Sequence, residues 1–155
     1  NGPWSHKVID PLRNHTFALD FALPLDTPVI ASRSGSVDLM WDKIGTHYKE
    51  VDLTVPGYYI GNLIQLKHED GTFTHYEHLK LNSIVDLGIS TGDKIQQGQA
   101  IGLTGLSGWI GDTPHLHFMA YTKQSSKGGK KFRTFPIQFK NYQGPLKHED
   151  LERLL

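Results

Sequence analysis

Up to residue 145 no segment repeats its apolar residues at the three-to-four-residue interval of an amphipathic helix. Short apolar runs are instead punctuated by glycine and proline, so the chain has to build its core from strands joined by tight turns. "FALDFAL" (17–23) is one such run, and "TPVIASRSGSVDLMW" (27–41) follows, rich in β-branched residues and interrupted at Gly35. "YIGNLIQLKHEDGTFTHYEHLKL" (59–81) predicts two strands meeting at Glu69-Asp70-Gly71, because Asp-Gly between alternating runs favours a hairpin. In "STGDKIQQGQAIGLTG" (90–105), Gly92, Gly98, Gly102 and Gly105 separate short stretches around Ile95 and Ile101. "PHLHFMAYT" (114–122) alternates as a further strand, and "FRTFPIQF" (132–139) predicts another that Pro136 confines to an edge. The polar, turn-rich "DKIGTHYKEVDLTVPGYY" (42–59) reads as a variable loop or hairpin excursion. "KQSSKGGKK" (123–131) reads as a flexible basic loop, and "KHEDLERLL" (147–155) as a short terminal helix.

At 155 residues the expectation is a single domain over 1–155, with a motif-bearing core at about 6–122 and an edge strand and tail at 132–155. Sixteen basic and sixteen acidic side chains cancel, so no overall field selects nucleic acid or an anionic membrane as partner. No apolar run reaches the roughly 18 residues that a membrane span needs. The opening "NGPWSH" has neither an initiator Met nor a signal peptide and reads as the start of a mature or excised fragment. There is no cysteine, which removes disulfides and thiolate metal sites. Nine histidines remain, and with carboxylates they point to metal chemistry of the His/Asp kind that suits zinc.

Three elements carry candidate chemistry. In "DTPHLHF" (112–118), strand alternation turns His115 and His117 to one side and Leu116 and Phe118 to the other, into a core. In "TFTHYEHL" (72–79), Thr74, Tyr76 and His78 share one face while Phe73, His75 and Glu77 share the opposite one. Regular alternation thus lets only one of His75 and His78 join a common site. The third element is Asp20, a carboxylate inside "FALDFAL" that is costly to bury unless it is paired or bound to a metal. A His-Asp-His set with one open position is the composition of a catalytic zinc site.

"FALDFALPLDTPVIASRSGSV" (17–37), "YEHLKLNSIVDLGISTGDKIQQGQAIGLTGLSG" (76–108) and "PHLHF" (114–118), in this order, resemble the LytM/lysostaphin-like zinc metallopeptidases. The resemblance implies a mostly β fold: a compact antiparallel sheet of the barrel-sandwich (duplicated hybrid motif) type, with an active-site groove over the central sheet. It implies endopeptidase cleavage of peptidoglycan peptides and a bound Zn2+ held by a His, an Asp and the second His of His-x-His. Carried onto this chain, Asp20 and His117 are ligands, and His78 and His115 match the two metal-free histidines beside the attacking water. One would accept the water's proton and the other would steady the developing oxyanion, with the division between them open.

The first histidine ligand departs from the commonest family pattern, which sets a His four residues before the Asp; Thr16 stands there. His15 is five before Asp20, and a one-residue shift reverses the facing of a regular strand unless a bulge intervenes. Members reading Phe/Tyr-Ala-x-Asp-Phe place this His further upstream, and "SHKVIDPLRNHTFALDF" (5–21) resembles them, so His6 is preferred and His15 is the alternative. His47, His68, His75 and His148 are expected at the surface, with His75 placed to support a neighbouring site. "GDKIQQGQAIG" (92–102) also resembles turns of biotinyl, lipoyl and phosphotransfer carriers, but Asp20 would repel phosphate and bind zinc. The competing class is a non-catalytic LytM-like module that binds the wall or activates a partner hydrolase. Loops 42–59 and 106–113, with Trp109 as a wall, are expected to set specificity. A peptidoglycan substrate implies an exported protein, periplasmic, at the cell surface or secreted, and the chain is expected to be monomeric. If the two histidines of His-x-His have these separate tasks, His117→Ala loses both zinc and activity, whereas His115→Ala keeps zinc and loses activity. Metal content of the purified variants checks this, and a metal-free His115→Ala protein overturns the assignment.

Overall fold

The computed structural model describes His15 and residues 17–48, 60–111, 113–126 and 129–139. His6, His148, most of the 42–59 segment and the expected terminal helix lie outside these residues. Among these described residues eleven strands follow one another: β1 Leu19–Ala22, β2 Pro28–Ile30, β3 Gly35–Trp41, β4 His47–Tyr48, β5 Asn62–Lys67 and β6 Thr72–Leu79. Then come β7 Lys94–Ile95, β8 Ala100–Leu103, β9 Gly108–Trp109, β10 His115–Ser126 and β11 Gly129–Thr134. Among the described residues the one helical element is a 3₁₀ turn at Val85–Leu87, and no helix is long and apolar enough to cross a membrane.

The principal sheet has the order β1-β10-β6-β5-β3-β7, every pair antiparallel. β10 is its axis. β6 pairs with one edge of β10, while the other edge is shared by β1 near His115–Phe118 and by β11 beyond Tyr121. β2 pairs with β8, and β4 runs parallel to β9. The β5–β6 turn falls at the predicted Asp-Gly: Asp70 accepts from both the N–H and the hydroxyl of Thr72, and Gly71 adopts φ 79°. The segment 123–131 differs from its expected loop, because β10 runs on through Ser126 and pairs with β11 from Gly129 onward. β11 ends at Thr134, before Pro136, whose ring could not donate to the ladder.

Alternation along the strands sorts the core. Phe21, Ile64, Leu66, Tyr76, Leu116 and Phe118 pack on one face of the sheet against Val29, Val37, Ile84, Ile95 and Ile101. Each such side chain contributes about 1.5–3 kcal/mol by leaving water. Tyr76 is fully buried and its hydroxyl is satisfied by the N–H and hydroxyl of Ser32. A smaller cluster of Ala18, Phe73, Met119 and Tyr121 with Phe132 covers part of the opposite face. His68 corrects its expected exposure. It is buried, with Nδ1–H donating to the Ser34 carbonyl and Nε2 accepting from the Thr74 hydroxyl, so a polar ring is matched on both sides.

The segment after β6 is pinned from below by Asp42. Its buried carboxylate accepts from the backbone N–H groups of Asn82, Ile84 and Val85, donors that the 3₁₀ turn leaves without chain partners. Asp42→Ala is therefore expected to lower the unfolding free energy by about 2–4 kcal/mol without changing the slope of the urea transition. Urea unfolding followed by tryptophan fluorescence measures it.

Candidate metal and catalytic site

Residues directly opposite one another on antiparallel strands share a face, and the register places Asp20 opposite His117 and His117 opposite Glu77. Ala22 opposite His115 extends the same face by one pair. The sheet therefore carries Asp20, His117 and Glu77 in one row across β1, β10 and β6, with His115 beside it. His117 Nδ1 stands 2.9 Å from Asp20 Oδ1, and since a carboxylate only accepts, Nδ1 carries the proton. His115 Nε2 lies 3.8 Å from the same oxygen. As the alternation predicts, Leu116 and Phe118 point away into the core.

His78 reaches this face by breaking the strand rule. Its φ is 66°, and the β5–β6 register slips there, Leu63 facing Glu77 while Asn62 faces Leu79. The extra residue is a bulge that turns His78 to the same side as His75, correcting the expectation that only one of the two could join the site. The ring centroid of His78 is 5.0 Å from that of His115 and 6.1 Å from that of His117, and His75 is also 6.1 Å from His117.

Hydrogen bonds choose the tautomers. His78 Nδ1–H donates to the Ser107 carbonyl at 2.9 Å, and His115 Nδ1–H donates to the Thr113 carbonyl at 2.8 Å. In its neutral form each ring thus keeps its lone pair on Nε2. Burial pulls the pKa of His78 down to about 4, partly offset by the Glu77 charge, so the ring is neutral around pH 7. Two glycines make room for it. A Cβ on Gly61 would meet the Ser107 carbonyl at 2.5 Å and His78 Nδ1 at 3.1 Å, and one on Gly108 would meet Gly61 N at 2.5 Å. The strand β9 that carries Gly108 is held by β4, and His47 of β4 donates from Nε2 to the Gly111 carbonyl.

Two residues that the sequence reading left out of the site belong to its wall. His75, expected at the surface, is buried, and its Nε2 lies 2.9 Å from Oε2 of the equally buried Glu77. The signal was present: Glu77 is a carboxylate on an alternating strand beside His78, the argument already applied to Asp20. His15 packs on the far side of His117, its Nδ1 3.2 Å from Nε2 of that ring. Asp20 and His15 thus approach opposite edges of the His117 imidazole. Among the described residues, no three His, Asp or Glu side chains gather their donors at one point. The pair that does converge, Asp20 Oδ1 and His117 Nδ1, suits zinc: an oxygen and an imidazole nitrogen separated only by the proton that a metal would displace.

Residues 14–128 match the model of peptidase family M23. The chain belongs to that family. Among similar proteins, the peptidoglycan DD-endopeptidase ShyA of Vibrio cholerae is 32% identical over 113 residues, 73% of this chain and 21% of that protein. The glycyl-glycine endopeptidase ALE-1 of Staphylococcus capitis is 33% identical over 116 residues, 73% of this chain and 26% of that protein. The chain thus spans about a fifth to a quarter of the length of these relatives. Lysostaphin from Staphylococcus simulans superposes with a TM-score of 0.51 at 28% identity, covering 74% of this chain and 40% of that one. A zinc-containing peptidase from Vibrio cholerae gives 0.51 at 27% identity, covering 72% and 31%. The lysostaphin-like resemblance and the antiparallel β fold it implied are both borne out.

The depressed pKa of His78 has a consequence for stability. The unfolded chain binds a proton at this ring near pH 6.5 and the folded one only near pH 4, so the His78 contribution is fully present above pH 6.5. It is lost progressively as pH falls towards 4, by about 3 kcal/mol. Urea unfolding of metal-free protein between pH 7 and pH 4 should show this loss, and His78→Asn should flatten it.

Proposed function

We propose that this chain is a zinc-dependent endopeptidase domain that hydrolyses peptide bonds of bacterial cell-wall peptidoglycan. The carrying observation is that His78 and His115, each with Nδ1–H tied to a backbone carbonyl, keep a basic Nε2 beside the Asp20–His117 pair. In this reading Asp20 and His117 hold the metal together with His6. Zinc bound there supplies acidification of a water towards a pKa of about 7 and polarisation of the scissile carbonyl.

The chain's own groups do the rest. The neutral Nε2 of one of His78 and His115 accepts the water's proton and returns it to the leaving amine. The other, once its Nε2 also carries a proton, donates to the oxygen of the scissile carbonyl and steadies the charge that develops on it. Burial keeps His78 in the form that can act as a base at neutral pH. His15, lying against Nε2 of His117, fits the role of the group that orients a liganding imidazole from behind. Trp109 on β9, held by the β4 pairing, forms a wall for the substrate.

Relatives named as peptidoglycan and glycyl-glycine endopeptidases support the substrate class, and a substrate of that class requires an exported location. Purified protein should carry stoichiometric zinc and release soluble fragments from purified peptidoglycan, with activity abolished by chelation and restored by zinc. Wall binding without fragment release, zinc being present, would instead identify a non-catalytic module. His6→Ala should lose the metal, while His15→Ala should bind it about 10–100-fold more weakly. Full zinc occupancy in His6→Ala would overturn the ligand assignment.

A further inference from the structure

Behind the site runs a chain of hydrogen bonds, partly buried at Tyr121 and Gln65 and fully buried at Glu77. The Tyr121 hydroxyl donates to Gln65 Oε1 at 2.9 Å, and Gln65 Nε2 donates to His75 Nδ1 at 3.1 Å. His75 Nε2–H then donates to Glu77 Oε2 at 2.9 Å, and Glu77 Oε1 accepts from the Gly61 N–H at 3.0 Å. With the Gln65 amide donating to His75 Nδ1, the proton of His75 lies on Nε2 and is directed at Glu77.

Glu77 therefore sits at the end of the chain as a carboxylate held by two N–H donors, His75 Nε2–H and Gly61 N–H. It is 6% exposed and directly opposite His117 on the neighbouring strand. Burial opposes its ionisation, yet the hydrogen bond from His75 draws its pKa below the ordinary range. An anion in this setting is costly without a cation close by. The face it occupies is the one on which Asp20 and His117 converge. Its Gly61 contact also reaches the catalytic wall: Gly61 packs against the Ser107 carbonyl that accepts from His78 Nδ1–H.

We propose that Glu77 is a positioning residue of the metal centre, a fixed buried negative charge that raises the affinity of the Asp20–His117 pair for zinc. The Tyr121–Gln65–His75 chain exists to hold that charge in place. This rests on the reading of the site as a zinc centre. It adds a carboxylate that does not coordinate the metal but compensates its charge from the next strand.

The test separates charge from packing. Glu77→Gln removes the charge at constant shape, and its amide N–H2 faces the Gly61 N–H or the His75 Nε2–H unless Gln65 flips to accept from His75 Nδ1–H and donate to the Tyr121 hydroxyl. The double variant Gln65→Glu/Glu77→Gln repairs this. Tyr121 and a reversed His75 tautomer, with Nδ1–H, donate to residue 65, while residue 77 donates to Nε2 and accepts from Gly61. Every hydrogen bond is then satisfied, but the negative charge lies on the far side of His75. Zinc affinity of the metal-free proteins is read by competition with a chromophoric chelator, and folding by urea unfolding without metal. The expected result is a zinc dissociation constant raised about 10–100-fold in Glu77→Gln and still raised in the double variant, whose stability recovers. Affinity within threefold of the wild type in Glu77→Gln, or restored in the double variant, overturns the proposal while the zinc reading stands. If Glu77→Gln does not fold, the double variant decides alone. A wild-type protein that binds no zinc overturns both readings.

Discussion

Hydrogen bonding of β10 to β1 along one edge and to β6 along the other sets Asp20, His117 and Glu77 in one row across three strands. Because the side-chain period of a strand is two, a slip of one residue in either ladder would send His117 to the core side or carry its partners away. That register is protected by the opposite face, where Leu116 and Phe118 interdigitate with Tyr76, Ile64 and Phe21. The apolar layer thus determines the polar one. Misplacing the histidines would require putting Phe118 into solvent, and the core contributes enough to forbid it.

Two departures from regular β structure then complete the site. The bulge at His78 adds a second imidazole to a face that alternation assigns to its neighbours. The close approach of Gly61 to Gly108 and Ser107 brings a carbonyl to His78 Nδ1 and an N–H to Glu77. Asn62 reinforces the same corner, receiving the Ile44 N–H and donating to the Ile44 and Leu79 carbonyls, while Ser107 bridges Asn62 N–H and Leu79 O. These bonds make a stiff frame on the side of the site away from β1. Rings held this way keep one tautomer, which is what proton transfer at a defined nitrogen needs.

Much of this architecture was legible in the amino-acid order. The Asp-Gly hairpin, the facing of His115 and His117, and the need of Asp20 for a partner all follow from local rules, and each has its counterpart in the structure. Where reading failed, the cause was non-local. His68 and His75 looked like surface histidines because nothing near them in sequence announces Ser34 or Gln65 as their partners. The 123–131 segment looked like a loop because its composition is polar, yet ladder pairing between β10 and β11 outweighs composition.

The chain alone thus determined the strand-built fold, the turns that divide it, and the side of β10 on which the paired histidines stand. These rest on steric and periodic constraints that act within a few residues. Only the tertiary structure decided that His78 turns to the face of His75, that Glu77 is a buried anion opposite His117, and that His15 and Asp20 take opposite edges of one ring. Those outcomes depend on cross-strand register and on desolvation, which exist only once distant segments have closed around one another. "DTPHLHF" (112–118) orients two imidazoles, but the strands on either side make them a site.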